Sequence, residues 1–163
     1  MRSRSVAVAF AVVLALPLLL LVAGQAGLLR GTPPADLGVR DGRLKPPAAT
    51  PNSVSSQAAL YGGAAAASAR IAPLHYDGDG AAAFARLRGL VATMPGARIV
   101  ATRPDYLYVQ FTTRWLHFVD DAEFWWSPAE GVIHVRSAAR LGESDLGVNR
   151  TRIEALRARF EKP

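Results

Sequence analysis

The chain has 163 residues, half of them hydrophobic and a fifth charged, which suits one domain plus an appendage. It contains no cysteine, so disulfides, thiol nucleophiles and Cys-ligated metal sites are excluded. The formal charge of +6 is gathered at one end: residues 1–45 hold six basic and two acidic groups, residues 46–163 thirteen and eleven, so the folded part lacks the basic face that nucleic-acid binding requires.

Arg2 and Arg4 precede an unbroken apolar run from Val6 to Ala23. As a helix it spans about 27 Å at ~1.5 Å per residue, close to the hydrocarbon thickness of a bilayer. Residues 1–26 thus read as a membrane anchor or a signal peptide. A signal peptide would be cut after small residues, with Gly24 and Ala26 or Leu21 and Ala23 before the cut. The run is longer than a usual signal core and tolerates Pro17, which favours the anchor. The membrane is then a partner through residues 6–23, and the flanking arginines meet anionic headgroups. In a bacterium the rest would lie on the periplasmic side of the inner membrane, or free in the periplasm after cleavage. No Cys follows the run to carry a lipid.

Residues 27–50 include Pro33, Pro34, Pro46 and Pro47 with few large apolar side chains, and read as an extended tether. Gly62–Ala67 is a loop or short surface helix. In the remaining domain, residues 51–163, the spacing of Phe84, Leu87, Val91 and Met94 predicts a helix over 79–94, capped by Asp77 or Asp79 and stopped by Pro95-Gly96. Asp77-Gly78-Asp79-Gly80 has Arg88 where a calcium loop needs a bidentate Glu, so it reads as turn and cap.

Strands follow at 97–102 and 106–113, then a long one at 115–126 and a last at 131–137. Pairing Trp126 with Gly131 sets Phe124 opposite Ile133 and Ala122 opposite Val135. On the other face it sets Glu123 opposite His134 and Asp121 opposite Arg136. Asp120 interrupts the apolar face; it requires a cation, with Arg140 and Arg150 as candidates, or several hydrogen-bond donors, or a bulge that turns it outward. A closing helix over 150–160 buries Ile153, Leu156 and Phe160, with Asn149 as its N-cap. The fold class is α+β: an antiparallel sheet of about four strands, one helix before it and one after, plus an N-terminal hydrophobic helix.

Two stretches carry a resemblance. One is Pro51-Asn52-Ser53-Val54-Ser55-Ser56-Gln57. The other starts at Asp120-Asp121-Ala122-Glu123-Phe124 and continues through Ile133-His134-Val135-Arg136-Ser137-Ala138-Ala139-Arg140-Leu141-Gly142 to Ser144-Asp145-Leu146-Gly147-Val148-Asn149-Arg150. Over about Pro51–Phe160 the chain resembles the bacterial and plastid family called domain of unknown function 1499 (DUF1499). Members of that family commonly have Cys where this chain has Ser53. The resemblance implies a domain and no activity.

Asp120, Asp121, Arg136, Ser137, Arg140, Asp145, Asn149 and Arg150 form the candidate polar cluster. One reading is a pocket at the start of the last helix, whose free N–H groups favour a small anion, with Arg136, Arg140 and Arg150 as donors and Asn149 positioning the backbone. The other is a structural network in which acids and arginines neutralise one another. Both place these side chains together at that helix end. His75, His117 and His134 lack zinc-ligand spacing, Ser53, Ser55 and Ser56 lie in no nucleophile elbow, and no metal or other cofactor is called for. Asp120 and Glu123 point to opposite faces of a strand, which argues against a direct acid–base pair.

The leading functional reading is a membrane-tethered extracytoplasmic binding or scaffolding domain without catalysis. The alternative is a small hydrolase or lyase using Asp120 or Asp121 with Arg136, Arg140 and Arg150. A third is an envelope interaction module recruiting a partner through the sheet face that carries Trp125. Protein partners are not legible in the sequence.

Overall fold

The computed structural model describes residues 2–162, apart from the side chains of residues 2–12 and 14. In chain order the elements are α1 (Arg2–Gln25), β1 (Ser53–Ser55), a 3-10 turn (Ala58–Leu60), α2 (Ala64–Ala69), β2 (Leu74–His75), α3 (Gly80–Ala92), β3 (Ala97–Thr102), β4 (Tyr106–Thr112), β5 (Val119–Ser127), β6 (Val132–Ala139) and α4 (Val148–Phe160). The class is α+β, with a six-stranded sheet in the order β1-β6-β5-β4-β3 and β2 also on β6; the strands pair antiparallel, and Ser55 of β1 adds one parallel bridge to Arg70. Four strands was an undercount. β1 and β2 have three and two residues, too few to display an alternation, and they share the outer edge of β6.

The alternation of β4, β5 and β6 divides the sheet into two unlike faces. Leu107, Val109 and Phe111, Ala122 and Phe124, and Ile133 and Val135 turn to one side. There they meet Phe84, Leu87 and Val91 of α3 and Ile153, Leu156 and Phe160 of α4. Each of these side chains other than Ala122 contributes roughly 1.5–3 kcal/mol by leaving water. Asp79 caps α3 by accepting from the Ala81 amide at 2.9 Å.

Three local expectations are corrected. Residues 115–118 are not strand: they form a loop in which His117 has φ 55°, closed by Thr113 N–H donating to Phe118 O at 2.9 Å. The β5–β6 register is displaced by two residues, so that Phe124 faces Val135, Ala122 faces Ser137 and Glu123 faces Arg136. Gly131, at φ 65°, takes the left-handed position that ends the turn, and the first pair is therefore Ser127–Val132. A slip of two leaves every side chain on its expected face. The N-cap of α4 is Gly147, and Asn149 is a buried residue inside the helix.

Residues 27–47 have little regular structure beyond an Arg40–Arg43 bridge, as their prolines dictate, yet they lie against the sheet rather than free of it. This strap covers the polar face. Leu44 is 2% exposed, its amide donates to Gln57 Oε1 at 2.8 Å, and Gln57 Nε2 returns a bond to Gly42 O at 2.9 Å. Among the described residues no helix is long and apolar enough to cross a membrane. The expected span, Val6–Ala23, takes in side chains outside the described residues. The end of α1 sits on the β4–β5 loop, with Gln25 Nε2 donating to Trp115 O at 2.8 Å. A Cβ on Gly24 would stand 2.6 Å from Leu116 O, so only glycine lets the two backbones approach this closely.

Candidate functional site

Because successive residues of a strand point to opposite faces, the polar series does not gather in one place. Asp121, Glu123, Arg136 and Tyr108 face the strap; Asp120 and Ser137 face the helices. On the strap side Arg140 grips Asp121 in a fork, Nε to Oδ2 at 2.8 Å and Nη2 to Oδ1 at 2.7 Å, and Tyr108 donates to Oδ1 at 2.6 Å. Both charged side chains are almost wholly buried. This bidentate geometry is the arrangement in which a buried pair recovers most of its desolvation cost. The bond to Asp121 holds the Arg140 guanidinium above its ordinary value, against the opposing effect of burial. Burial, then the bond to Asp121, raises the Tyr108 phenol.

The neighbouring pair is less well satisfied. Glu123 is 0% exposed and Arg136 3%, but the closest approach of the two is 3.6 Å. Glu123 Oε1 accepts from Gly38 N–H at 2.7 Å and from the Tyr106 hydroxyl at 2.8 Å, while Arg136 Nε donates to Pro46 O at 3.1 Å. Glu123 Oε2 and Arg136 Nη1 are buried without hydrogen-bond partners. Burial pushes the Glu123 carboxyl up and the Arg136 guanidinium down, each toward its neutral form. Trp125 stacks on His134, centroids 5.3 Å apart, and so its ring already has a partner.

On the helix side Asp120 meets the cation its burial demands, and no bulge turns it outward; the partner is Arg152, not Arg140 or Arg150. Arg152 Nη2 donates to Asp120 Oδ2 at 2.7 Å, Nη1 donates to Asn149 Oδ1 at 2.9 Å, and the guanidinium lies 4.5 Å over the Phe111 ring. Burial nevertheless raises the Asp120 carboxyl. Ser137 Oγ also donates to Asn149 Oδ1. Asp145 does the capping: it accepts from the amides of Asn149 at 2.8 Å and Gly147 at 3.0 Å, and from Asn149 Nδ2 at 2.8 Å. Its burial opposes ionisation, but these donors outweigh it and hold the carboxyl below its ordinary value.

Of the eight expected residues, therefore, Ser137, Asp145 and Asn149 meet directly at the start of α4, and Asp120 joins them through Arg152. Asp121, Arg136 and Arg140 lie across the sheet. Arg150 turns to α2, where Nη2 donates to Ser68 O at 2.9 Å. Sequence reasoning missed Arg152, although its place one turn after Asn149 was a usable signal. It also missed Tyr106 and Tyr108, whose alternation with Leu107 and Val109 was the signal for the polar face.

Several clefts border these networks, among them three that flank the sheet end near Arg140. One of about 270 Å³ lies under the strap among Lys45, Pro46, Asp121, Arg136 and Arg140. One of about 530 Å³ is lined by Arg30, Arg98, Gln110, Thr112, Val119 and Arg140. The third, about 260 Å³ on the helix side, is lined chiefly by apolar groups including Phe118, Val119, Leu141, Leu146 and Val148, with Asp120 and Asp145 at its wall. Among the described residues no three His, Asp or Glu side chains gather as metal ligands would.

Neither the curated proteins nor the solved structures contain a match to this chain. A family described as a protein of unknown function (DUF1499) matches residues 43–160, a span that opens within the strap beside Leu44 and closes at Phe160 of α4. With most of its length and all six strands inside that match, the chain belongs to the DUF1499 family.

Proposed function

We propose that this protein is a membrane-tethered extracytoplasmic domain that binds or scaffolds without catalysis, in a bacterium on the periplasmic side of the inner membrane. The observation that carries the reading is the seat of α1: its apolar run is joined to the domain through Gly24 and Gln25 rather than through a slack connection. The preceding Arg2 and Arg4 orient the domain away from the cytoplasm. Val13, Leu16, Leu18, Leu19 and Val22 are exposed along the helix, as side chains meeting lipid would be. Lack of catalysis is supported by the acids themselves. Asp120 and Asp121 are each held by a guanidinium at 2.7 Å, Asp121 through both of its carboxylate oxygens.

A second reading, a hydrolase or lyase, draws on one observation: burial raises the Asp120 carboxyl, and Asp120 borders a cleft. Of the arginines named for that chemistry, Arg136 and Arg140 lie across the sheet from Asp120, on the side of Asp121, which Arg140 holds in a fork, and Arg150 turns to Ser68.

The test is extraction of the full chain from a Gram-negative host. In the tethered reading it stays with membranes washed in alkaline carbonate, keeps its N-terminal residues, and is digested by protease added to spheroplasts. Release into the wash, or a mature chain starting at Gly24 or later, overturns the anchor.

A further inference from the structure

The end of the sheet on which α1 sits carries two clefts of opposite character. On the strap side, Arg30, Arg98 and Arg140 line the 530 Å³ cleft with no carboxylate among its lining residues. Arg140 is committed to Asp121, but Arg30 and Arg98 are exposed, and Arg98 spends a donor on Gln110 alone. On the helix side, the 260 Å³ cleft is apolar along Phe118, Ala139, Leu141 and Val148. The two abut: Val119 lines both, and Arg140 of the first lies between Ala139 and Leu141 of the second.

The rim is costly in water. Leu146 is 93% exposed at a left-handed φ of 53°, Leu28 and Trp115 are exposed beside the end of α1, and Arg114 lies 4.9 Å over the Trp115 ring. Amphipathic rings and guanidinium stems of this kind suit the headgroup layer of a bilayer. A free inorganic anion would use the guanidinium cleft and leave the apolar one unexplained. A neutral apolar ligand would leave Arg30 and Arg98 without a counter-charge.

We propose that this end of the domain holds one anionic phospholipid of the membrane in which α1 sits, its phosphate between Arg30 and Arg98 and one acyl chain in the apolar cleft behind Val119. The proposal rests on the tethered reading for the source of the lipid. Guanidinium groups supply charge-assisted bonds to phosphate, and the apolar wall supplies the area-dependent part of the affinity.

The test uses the full chain in detergent micelles holding equal amounts of phosphatidylglycerol and phosphatidylcholine, with native mass spectrometry reading the retained lipid. Wild type retains one phosphatidylglycerol in at least tenfold preference. The double variant Arg30→Glu/Arg98→Glu, both exposed positions, loses that preference while its thermal midpoint is unchanged. Leu146→Glu reduces retention of either lipid. Millimolar inorganic phosphate leaves the bound lipid in place. Equal retention of the two lipids, indifference to the double charge reversal, or displacement by phosphate alone each overturns the proposal. Carbonate extraction separates the two claims: a chain that resists extraction yet retains no phosphatidylglycerol defeats the lipid site only. A chain released by carbonate that still selects phosphatidylglycerol defeats the tether only.

Discussion

Asp121 and Arg140 are a fork-to-fork pair with a phenol as third partner, all but closed to water. Removing one side of such a pair leaves the other as an uncompensated buried charge, at a cost of about 3–5 kcal/mol. Arg140→Ala is therefore expected to lower stability by that amount in urea titration, with Arg140→Lys between it and wild type because lysine restores charge but not the second bond. A variant that unfolds like wild type would mean that the pair is not structural. Titration separates the acids by sign. Glu123 and Asp120 have folded values raised by burial, so the native state binds more protons than the unfolded chain. Stability then falls as pH climbs past the ordinary carboxylate range toward the raised values. Asp145 has the opposite sign: its contribution is present above the ordinary range and is lost as pH falls through its lowered value. Urea midpoints measured between about pH 4 and 8 should show a shallower decline with rising pH in Glu123→Gln than in wild type. Asp145→Ala, having lost the cap, should be weaker by about 1 kcal/mol at neutral pH and lack the loss that wild type shows when the titration is carried below about pH 4.

Elements were legible wherever a period repeated long enough. α3 emerges from Phe84, Leu87 and Val91, and β3 from its own alternation, with the expected bounds 97–102. β1 and β2 were not legible because they acquire strand character only from β6, which offers them its edge. The face assignment of β5 and β6 could be read from side chains alone, whereas the two-residue displacement came from a turn glycine that side-chain pairing does not sense. For the same reason the acids and arginines were expected together at the start of the last helix and are instead divided by the sheet: alternation fixes a face, and the helix that reaches that face decides which arginine arrives. Close backbone approach gives a test at this scale. Gly96 has φ 72°, and a Cβ there would stand 2.3 Å from Thr112 O, where it and the β4 end are bonded by Thr112 N–H to Gly96 O at 2.9 Å. Gly96→Ala should cost more than the roughly 1–2 kcal/mol of left-handed strain alone, seen as a lowered thermal midpoint with early exchange of the β3–β4 amides.

For the whole molecule, the strap is part of the domain's core rather than a spacer. It supplies Leu44, worth about 2 kcal/mol in burial, a donor for Glu123 and an acceptor for Arg136. Each of those polar groups left unsatisfied costs about 1–3 kcal/mol, against a total stability of about 5–15 kcal/mol. A chain beginning at residue 27 is expected to melt cooperatively. One beginning at residue 48 should melt lower by roughly 15 °C or more, or without a cooperative transition, in calorimetry. Similar midpoints for the two would reduce the strap to a surface covering.

That arrangement also fixes when the domain can come into being. The strap's bonds to Glu123, Arg136 and Arg140 close separations of 85, 90 and 110 residues. A nascent chain therefore makes the cover early and the surface it covers last, and it carries Asp121 without its arginine until β6 has emerged. Contacts this distant in sequence slow the search for the native state and keep intermediates open to aggregation. Closure of the strap is consequently a late event, and a product of translation that stops short of Arg140 lacks the cation that Asp121 requires.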